Sequence, residues 1–375
     1  MVFALLQHLI AIPSLAVHLL LSVPAEGWRH SWKRLPLFLL LWVMFSLLNL
    51  LHLFGHILDE ILFFGYRKKT ICEPVFILGI PRSGTTFLQR LLSHDKQFTT
   101  FTTWEALLAP SVTEKYLFLV LGRILTPMGK ILLSIRKRLF KRMDRIHQIR
   151  LQEPEEDFLL LLPLEGCLLQ AFLCPTMTRF WQLGSFDRDV PEMRRRALLS
   201  FYTHCIKKHL HFHGANRRLL SKNPSFTSWT DSLLNSFPDA KLIVCTRPPS
   251  EVVPSQFSSL RPMMNLIGSG KLIGSAQKHM IDMLHHYYEI IQKHQQNHRL
   301  KTLSMESLRN QLETILESLQ PFLSLPSIEV FAEEISRSHG YQSNHQYNLA
   351  EFSLSENDVN EKFSDVWPQS LTRHE

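Results

Sequence analysis

The chain has 375 residues, 45% hydrophobic and 20% charged, and a net charge of +8, which gives a sequence pI near 9.3. Such a length and composition suit one large α/β domain with an appendage, and a basic balance suits an anionic ligand, a membrane surface or nucleic acid without choosing among them. Five scattered cysteines with no CxxC or His/Cys spacing exclude a structural zinc and a disulfide framework, and no helix-turn-helix, zinc-finger or RNP pattern accompanies the charge, which argues against nucleic acid.

In chain order, Met1 to Val23 is apolar but interrupted by Gln7, His8, Pro13 and His18, and a basic punctuation follows at Arg29, His30, Lys33 and Arg34. No charge precedes this first segment and no clean small-residue site follows it, so it does not read as a cleavable signal peptide. Leu35 to Leu53 is long enough to cross a bilayer. Its polar residues Ser46, Asn49, His52 and then His56 fall along one stripe, which a lipid-bathed helix has no use for. Membrane association is expected for residues 1–70. A spanning helix, an in-plane hairpin and a helical cap on the domain all remain open, and basic residues at both ends give no orientation by the positive-inside rule. The catalytic part is expected from Ile71 to residue 325 on the cytoplasmic side, with a C-terminal extension over 326–375.

Val75 to Leu78 reads as a buried strand, followed by Gly79-Ile-Pro-Arg-Ser-Gly84-Thr85-Thr86 and a helix with Phe87, Leu88, Leu91 and Leu92 on one face. Strand, glycine-bounded loop and helix N-terminus make an anion cradle. The lysine that a Walker A loop places after its second glycine is absent; Thr85 stands there, and Arg82 supplies a cation from inside the loop. Between Lys130 and Arg150 eight Lys/Arg face one Asp, a local +7 that reads as a solvated helix face or a contact for anionic lipid heads. Glu155, Glu156 and Asp157 read as the acidic first turn of a helix from Phe158 to Phe172. Leu219 to Pro224 reads as a strand delivering Lys222, and Lys241 to Thr246 as a strand that ends in Arg247 where a Walker B strand would end in an acid. Ligands collect at the carboxyl ends of strands in open α/β sheets, so Arg82, Lys222 and Arg247 are expected to converge.

Pro81-Arg82-Ser83-Gly84-Thr85-Thr86, together with Arg247 and Ser255 eight residues on, resembles the sulfotransferase superfamily. Lys222-Asn223-Pro224 is similar to the Lys-x-Pro of the tyrosylprotein and related bacterial branches, and Thr103-Trp104-Glu105 and Pro154-Glu155-Glu156-Asp157 are similar to further segments of the bacterial one. The likeness runs from Tyr66 to Leu260 and more thinly to Leu323. It implies a P-loop-like three-layer α/β/α fold with a parallel sheet, and 3′-phosphoadenosine-5′-phosphosulfate as donor without a metal. The first motif (Pro81, Arg82, Ser83, Gly84, Thr85 and Thr86) would hold the 5′-phosphosulfate, and Arg247 with Ser255 the 3′-phosphate. Lys222 and Arg82 would stabilise developing charge. The resemblance offers two general bases, Glu105 by analogy with the tyrosylprotein enzymes and His147 by analogy with the cytosolic ones. His204, His211 and His213 lack metal-ligand company and are read as bystanders. The acceptor is open, with a lipid or other amphiphile suggested by the apolar N-terminus. A P-loop kinase or nucleotidase and a non-catalytic nucleotide-binding scaffold are the rival readings.

Overall fold

The computed structural model describes residues 2–22, 35–121, 151–175, 177–214, 216–267, 270–338, 349–352 and 354–367. Five parallel strands form the sheet: β1 (Val75–Gly79), β2 (Phe98–Thr99), β3 (Arg218–Lys222), β4 (Lys241–Thr246) and β5 (Leu300–Ser304), in the order β2-β3-β1-β4-β5. Every residue of β1 is buried, as a central parallel strand covered on both faces requires. Its alternate side chains enter two separate cores. Val75 and Ile77 join Leu88 and Leu91 of helix α3 (Thr85–Leu92) and the leucines of 312–323; Phe76 and Leu78 join the larger core on the other face. The three-layer α/β arrangement expected from the sequence is therefore present. The helices flanking the sheet on the larger side include α5 (Glu192–His213), α6 (Pro249–Ile267) and α7 (Gly270–Lys293).

The apolar N-terminus forms two helices, α1 (Val2–Ser22) and α2 (Leu35–Leu62), and the second is long and apolar enough to cross a membrane by length and composition. They pack on each other, and Leu15 and Phe38 belong to the same core as Phe76 of β1. The polar stripe of α2 faces inward. Asn49 donates to the His8 carbonyl at 2.7 Å, and His52 meets Glu114 at 2.6 Å. The Asp59 carboxylate accepts from the Val112 and Thr113 amides and pairs with Lys208 at 3.1 Å. At the other end of the chain Val359, Phe363 and Val366 insert into the larger core.

Two expectations change here. The helix expected over Phe158 to Phe172 is instead a 3₁₀ helix, Asp157–Leu164, and a separate short helix, Leu169–Leu173. Pro163 cannot supply an amide to continue the first, and Glu165 ends it in a left-handed conformation, φ 54°. The second change concerns Glu105 as general base. It lies in α4 (Thr103–Leu107) and all its oxygen positions are taken. Oε2 accepts from the Thr102 amide at 3.0 Å and hydroxyl at 2.7 Å, a capping box; Oε1 meets Lys115 at 2.7 Å and His213 at 2.6 Å. Lys115 is fully buried and also donates to Nδ1 of His209 at 3.0 Å, leaving the His209 Nε2–H for the Thr99 hydroxyl at 2.8 Å. His213 thus has the company that its sequence context hides. Glu105, His209 and His213 bring potential metal-ligand atoms within 4.8 Å of one another, with the Lys115 ammonium bonded to two of them.

Burial pushes the Glu105 carboxyl up, but the neighbouring His209, His213 and Lys115 together hold it well below the ordinary carboxylate range. Burial likewise lowers Lys115 and His209. Glu105→Gln would leave Lys115 without a counter-charge, and denaturant unfolding is expected to show a loss of about 3–5 kcal/mol. Because the folded-state pKa of Glu105 is depressed, its contribution is present above the ordinary carboxylate pKa and is lost as pH falls from there. The variant should therefore have a flatter acid limb than the native chain. An unchanged unfolding midpoint would contradict the assignment of this cluster to the core.

Candidate functional site

Strand β1 ends in Gly79, with φ at 113°, where a Cβ would lie 2.1 Å from the Cys245 carbonyl oxygen of β4. Only glycine lets the two strands approach this closely. Backbone bonds complete the seam: the Ile80 amide donates to the Cys245 carbonyl at 2.8 Å, and Thr227 accepts from the Gly79 amide and donates to its carbonyl. The loop then turns through Arg82, itself left-handed at φ 68°, and Gly84 at φ 88°, which caps α3. The amides of Thr85 and Thr86 are thereby left at a helix N-terminus, pointing at the space above the sheet.

That space is a cavity of about 540 Å³. On one side stand Arg82, Gly84, Thr85, Thr86 and, from β4 and α6, Arg247 and Ser255. The Arg82 Nε donates to the Ser255 hydroxyl at 3.2 Å, and Arg247 donates to the Arg82 carbonyl at 3.1 Å. Arg247 is further held by Glu251 at 2.7 Å, and its own carbonyl accepts from Tyr288 at 2.6 Å. Two segments that are 165 residues apart in sequence thus present their cations to one face. Pro81 also borders the cavity. Ser83 does not: it is buried and its hydroxyl donates to the Cys245 carbonyl at 3.1 Å and to the Ile80 carbonyl, so it fastens the loop to β4. Any part of Ser83 in holding a ligand therefore falls to its backbone and not to its hydroxyl.

The lining also has an apolar part, formed by Phe158, Leu168, Leu169, Phe172, Leu260 and Met283. Glu156, Tyr287, Ser225 and Gln256 are further polar groups that line the cavity. Glu156 is bonded to Lys222 at 2.7 Å; Lys222 comes off the end of β3, is buried, and reaches the cavity through this carboxylate. The three acids of 155–157 therefore separate into different roles. Glu155 accepts from the Glu156 amide at 3.0 Å, and Glu156 lines the cavity. Asp157 is buried beneath it, accepting from Tyr202 at 2.5 Å and Ser221 at 2.9 Å. Burial pushes Asp157 up to about 6 against those two hydrogen bonds.

Arg82, Thr85, Thr86, Arg247 and Ser255 are thus brought together, Lys222 approaches through Glu156, and Glu105 is not among the lining residues. His147 lies outside the described residues. Sequence reading missed Glu156, although Lys222 at a strand end calls for a nearby carboxylate. It also missed Arg309, which joins the cation wall from the helix Met305–Asn310 after β5. The strand before it carries no alternation to signal it, since its leucines, Leu300 and Leu303, stand three residues apart.

The sulfotransferase family model matches residues 74–163 and 168–329. Among solved structures, sulfotransferase STF1 from Mycobacterium tuberculosis H37Rv is 16% identical, with 95% of this chain and 92% of that one covered at a TM-score of 0.67. Sulfotransferase STF9 from Mycobacterium avium is 17% identical over 83% of this chain and 80% of that one, TM-score 0.65. Among curated proteins no sequence match is found. The structural likenesses carry the fold, and the family match spans both the glycine-bounded loop and the Arg247–Ser255 pair: this chain belongs to the sulfotransferase family.

Proposed function

We propose that the chain transfers a sulfuryl group from 3′-phosphoadenosine-5′-phosphosulfate to a hydroxyl, or an amine, at the end of an apolar acceptor. One observation carries the reading. A cavity lined by Arg82, Arg247, Ser255 and a helix N-terminus also takes in Phe158, Leu168, Leu169 and Phe172, and among the described residues that line it Glu156 is the one carboxylate. Arg82 with the Thr85 and Thr86 amides and hydroxyls would hold the phosphosulfate, since a guanidinium fork suits such oxyanions. Arg247 and Ser255 would hold the 3′-phosphate. Strand β4 ends in Thr246 and Arg247 follows it, so no acid stands where a nucleoside-triphosphate enzyme places its magnesium ligand.

The acceptor end follows from the same lining. Phe158, Leu168, Leu169 and Phe172 would take an aliphatic or aryl stem and direct its terminal hydroxyl toward Glu156. As the acceptor oxygen bonds to sulfur, its proton passes to Glu156 and the bond from sulfur to the bridging phosphate oxygen breaks. Lys222 fixes the Glu156 carboxylate, and Arg82 faces the charge that develops on the departing phosphate. In this reading Glu156 takes the role that sequence assigned to Glu105.

The experiment uses the full chain, donor labelled in its sulfate, chelator in the buffer, and lipid and soluble extracts offered side by side. Label is expected in the lipid extract without added metal. Glu156→Gln should lower kcat by at least about a hundredfold, with the affinity for adenosine 3′,5′-bisphosphate retained. Full activity in that variant would remove Glu156 as the base, and label transfer only from a nucleoside triphosphate with magnesium would replace the reading by a kinase.

A further inference from the structure

Helix α2 has its polarity reversed relative to a helix on a water-soluble surface. Its buried positions are Phe38, Asn49, His52, Gly55, His56 and Asp59, five of them not hydrophobic. Its outward positions Leu39, Leu40, Met44, Leu47, Phe54 and Ile61 are 55–66% exposed. A helix in water buries its apolar stripe and shows its polar one. Here the medium that the outer face meets has to be the apolar one.

The exposed strip is not confined to α2. Leu9 and Ile10 of α1 are exposed, as are Tyr116, Leu117, Leu119 and Val120 on the helix over 112–121, which packs closely on α2 at Gly55. An exposed apolar area drawn from three helices is far beyond the scattered single residues of an ordinary surface. Phe64 stands two residues past the end of α2, with Arg67, which is paired with Glu60, and Lys68 exposed three and four residues further on. Aromatic residues beside basic ones are what an interface with lipid headgroups selects.

The inward contacts decide how a bilayer could be met. From Asn49 to Asp59, α2 is bonded to α1 and to the globular domain through Asn49–His8, His52–Glu114, His56–Lys208 at 2.9 Å and the Asp59 contacts with Val112, Thr113 and Lys208. Nearer its start, Phe38 lies in the common core, and Trp42 donates to the Ile12 carbonyl at 2.9 Å. Spanning needs about 20 consecutive residues in the hydrocarbon, and a window of that length in α2 takes in His52, which would be parted from Glu114 of the globular part. Lying in the membrane plane keeps every one of these contacts.

We infer that α1, α2 and the helix over 112–121 form a monotopic docking surface. It seats the catalytic domain on a lipid bilayer with α2 parallel to the membrane and its apolar outer face in the acyl boundary. A second copy of the chain is the competing occupant, and the charge disfavours it. Copies with a net charge of +8, and with Lys68 exposed beside the Arg67–Glu60 pair at the edge of the strip, repel one another but are drawn to anionic headgroups. The surface also adjoins the site: α1 packs on the segment Asp157–Leu164, whose Phe158 forms part of the cavity's apolar wall.

The test is flotation of the full chain with sealed vesicles of phosphatidylcholine containing phosphatidylglycerol, read without any sulfuryl donor or acceptor, so that its outcome is separate from that of the transfer reaction. The native chain should float, and Leu47→Asp with Phe54→Asp should weaken binding by at least about tenfold with an unchanged melting temperature. In a Cys72→Ser background, Leu35→Cys and Phe64→Cys mark the two ends of α2. A membrane-impermeant maleimide added outside should reach both. Protection of one end alone would show a spanning helix and overturn the proposal. A native chain that fails to float and instead forms dimers broken by the two aspartates would assign the strip to self-association.

Discussion

The close approach of β1 to β4 at Gly79 is the constraint on which the site depends. With no side chain there, the Ile80 amide reaches the Cys245 carbonyl, and the loop is launched over the end of the sheet instead of alongside it. Ser83 then pins the loop to the same carbonyl, and the left-handed turns at Arg82 and Gly84 bring α3's first amides to face the cavity. Arg247 follows β4 by one residue, so the seam that aligns the strands also fixes Arg82 against Arg247. The convergence of cations is a consequence of strand register. Ser255 against Arg82, and Glu251 against Arg247, then hold the two guanidinium groups in place.

Burial of charge is handled differently in two neighbouring places. Around Glu105 every acceptor position is filled by Lys115, His213 and Thr102, a closed network that serves structure. At Glu156 one oxygen meets Lys222 while the carboxylate still borders open space. A group that must take a proton needs such an open side, and this is why a carboxylate with identical chemistry serves as framework in one place and as a candidate base in the other. The amino-terminal helices extend the same logic to their interface. Polar groups that would be costly in lipid are spent on the domain, and the apolar face is left outward.

The parts of this architecture that sequence made legible are those set by local chemistry. The runs at Val75 and Lys241 are unbroken apolar stretches with glycine or proline just beyond them, and β1 and β4 stand there; the loop between Gly79 and Gly84 has few conformations open to it. The inward stripe of α2 was visible because its polar residues repeat at helical spacing. The parts that were hidden depend on distant partners. Glu105 follows Trp104 in a family-like setting, but its fate is decided by Lys115 and by two histidines on α5. Glu155, Glu156 and Asp157 look like one acidic turn, and only the path of the 3₁₀ helix sends the middle one to the cavity. Arg309 belongs to a helix behind a strand, Leu300–Ser304, whose leucines stand three residues apart and so show no strand alternation.

The central claim is that the cation wall of Arg82, Arg247, Ser255 and Arg309 is built for a nucleotide carrying phosphate at both its 5′ and 3′ positions and requires no magnesium. Titration calorimetry of the native full chain with adenosine 3′,5′-bisphosphate and with adenosine 5′-monophosphate, both in chelator, tests it most directly. One charge-assisted contact contributes roughly 1.5–3 kcal/mol, so the bisphosphate is predicted to bind at least about tenfold more tightly, with no change when magnesium is added. Equal affinity for the two nucleotides, or tight binding of a nucleoside triphosphate only with magnesium, would contradict the account.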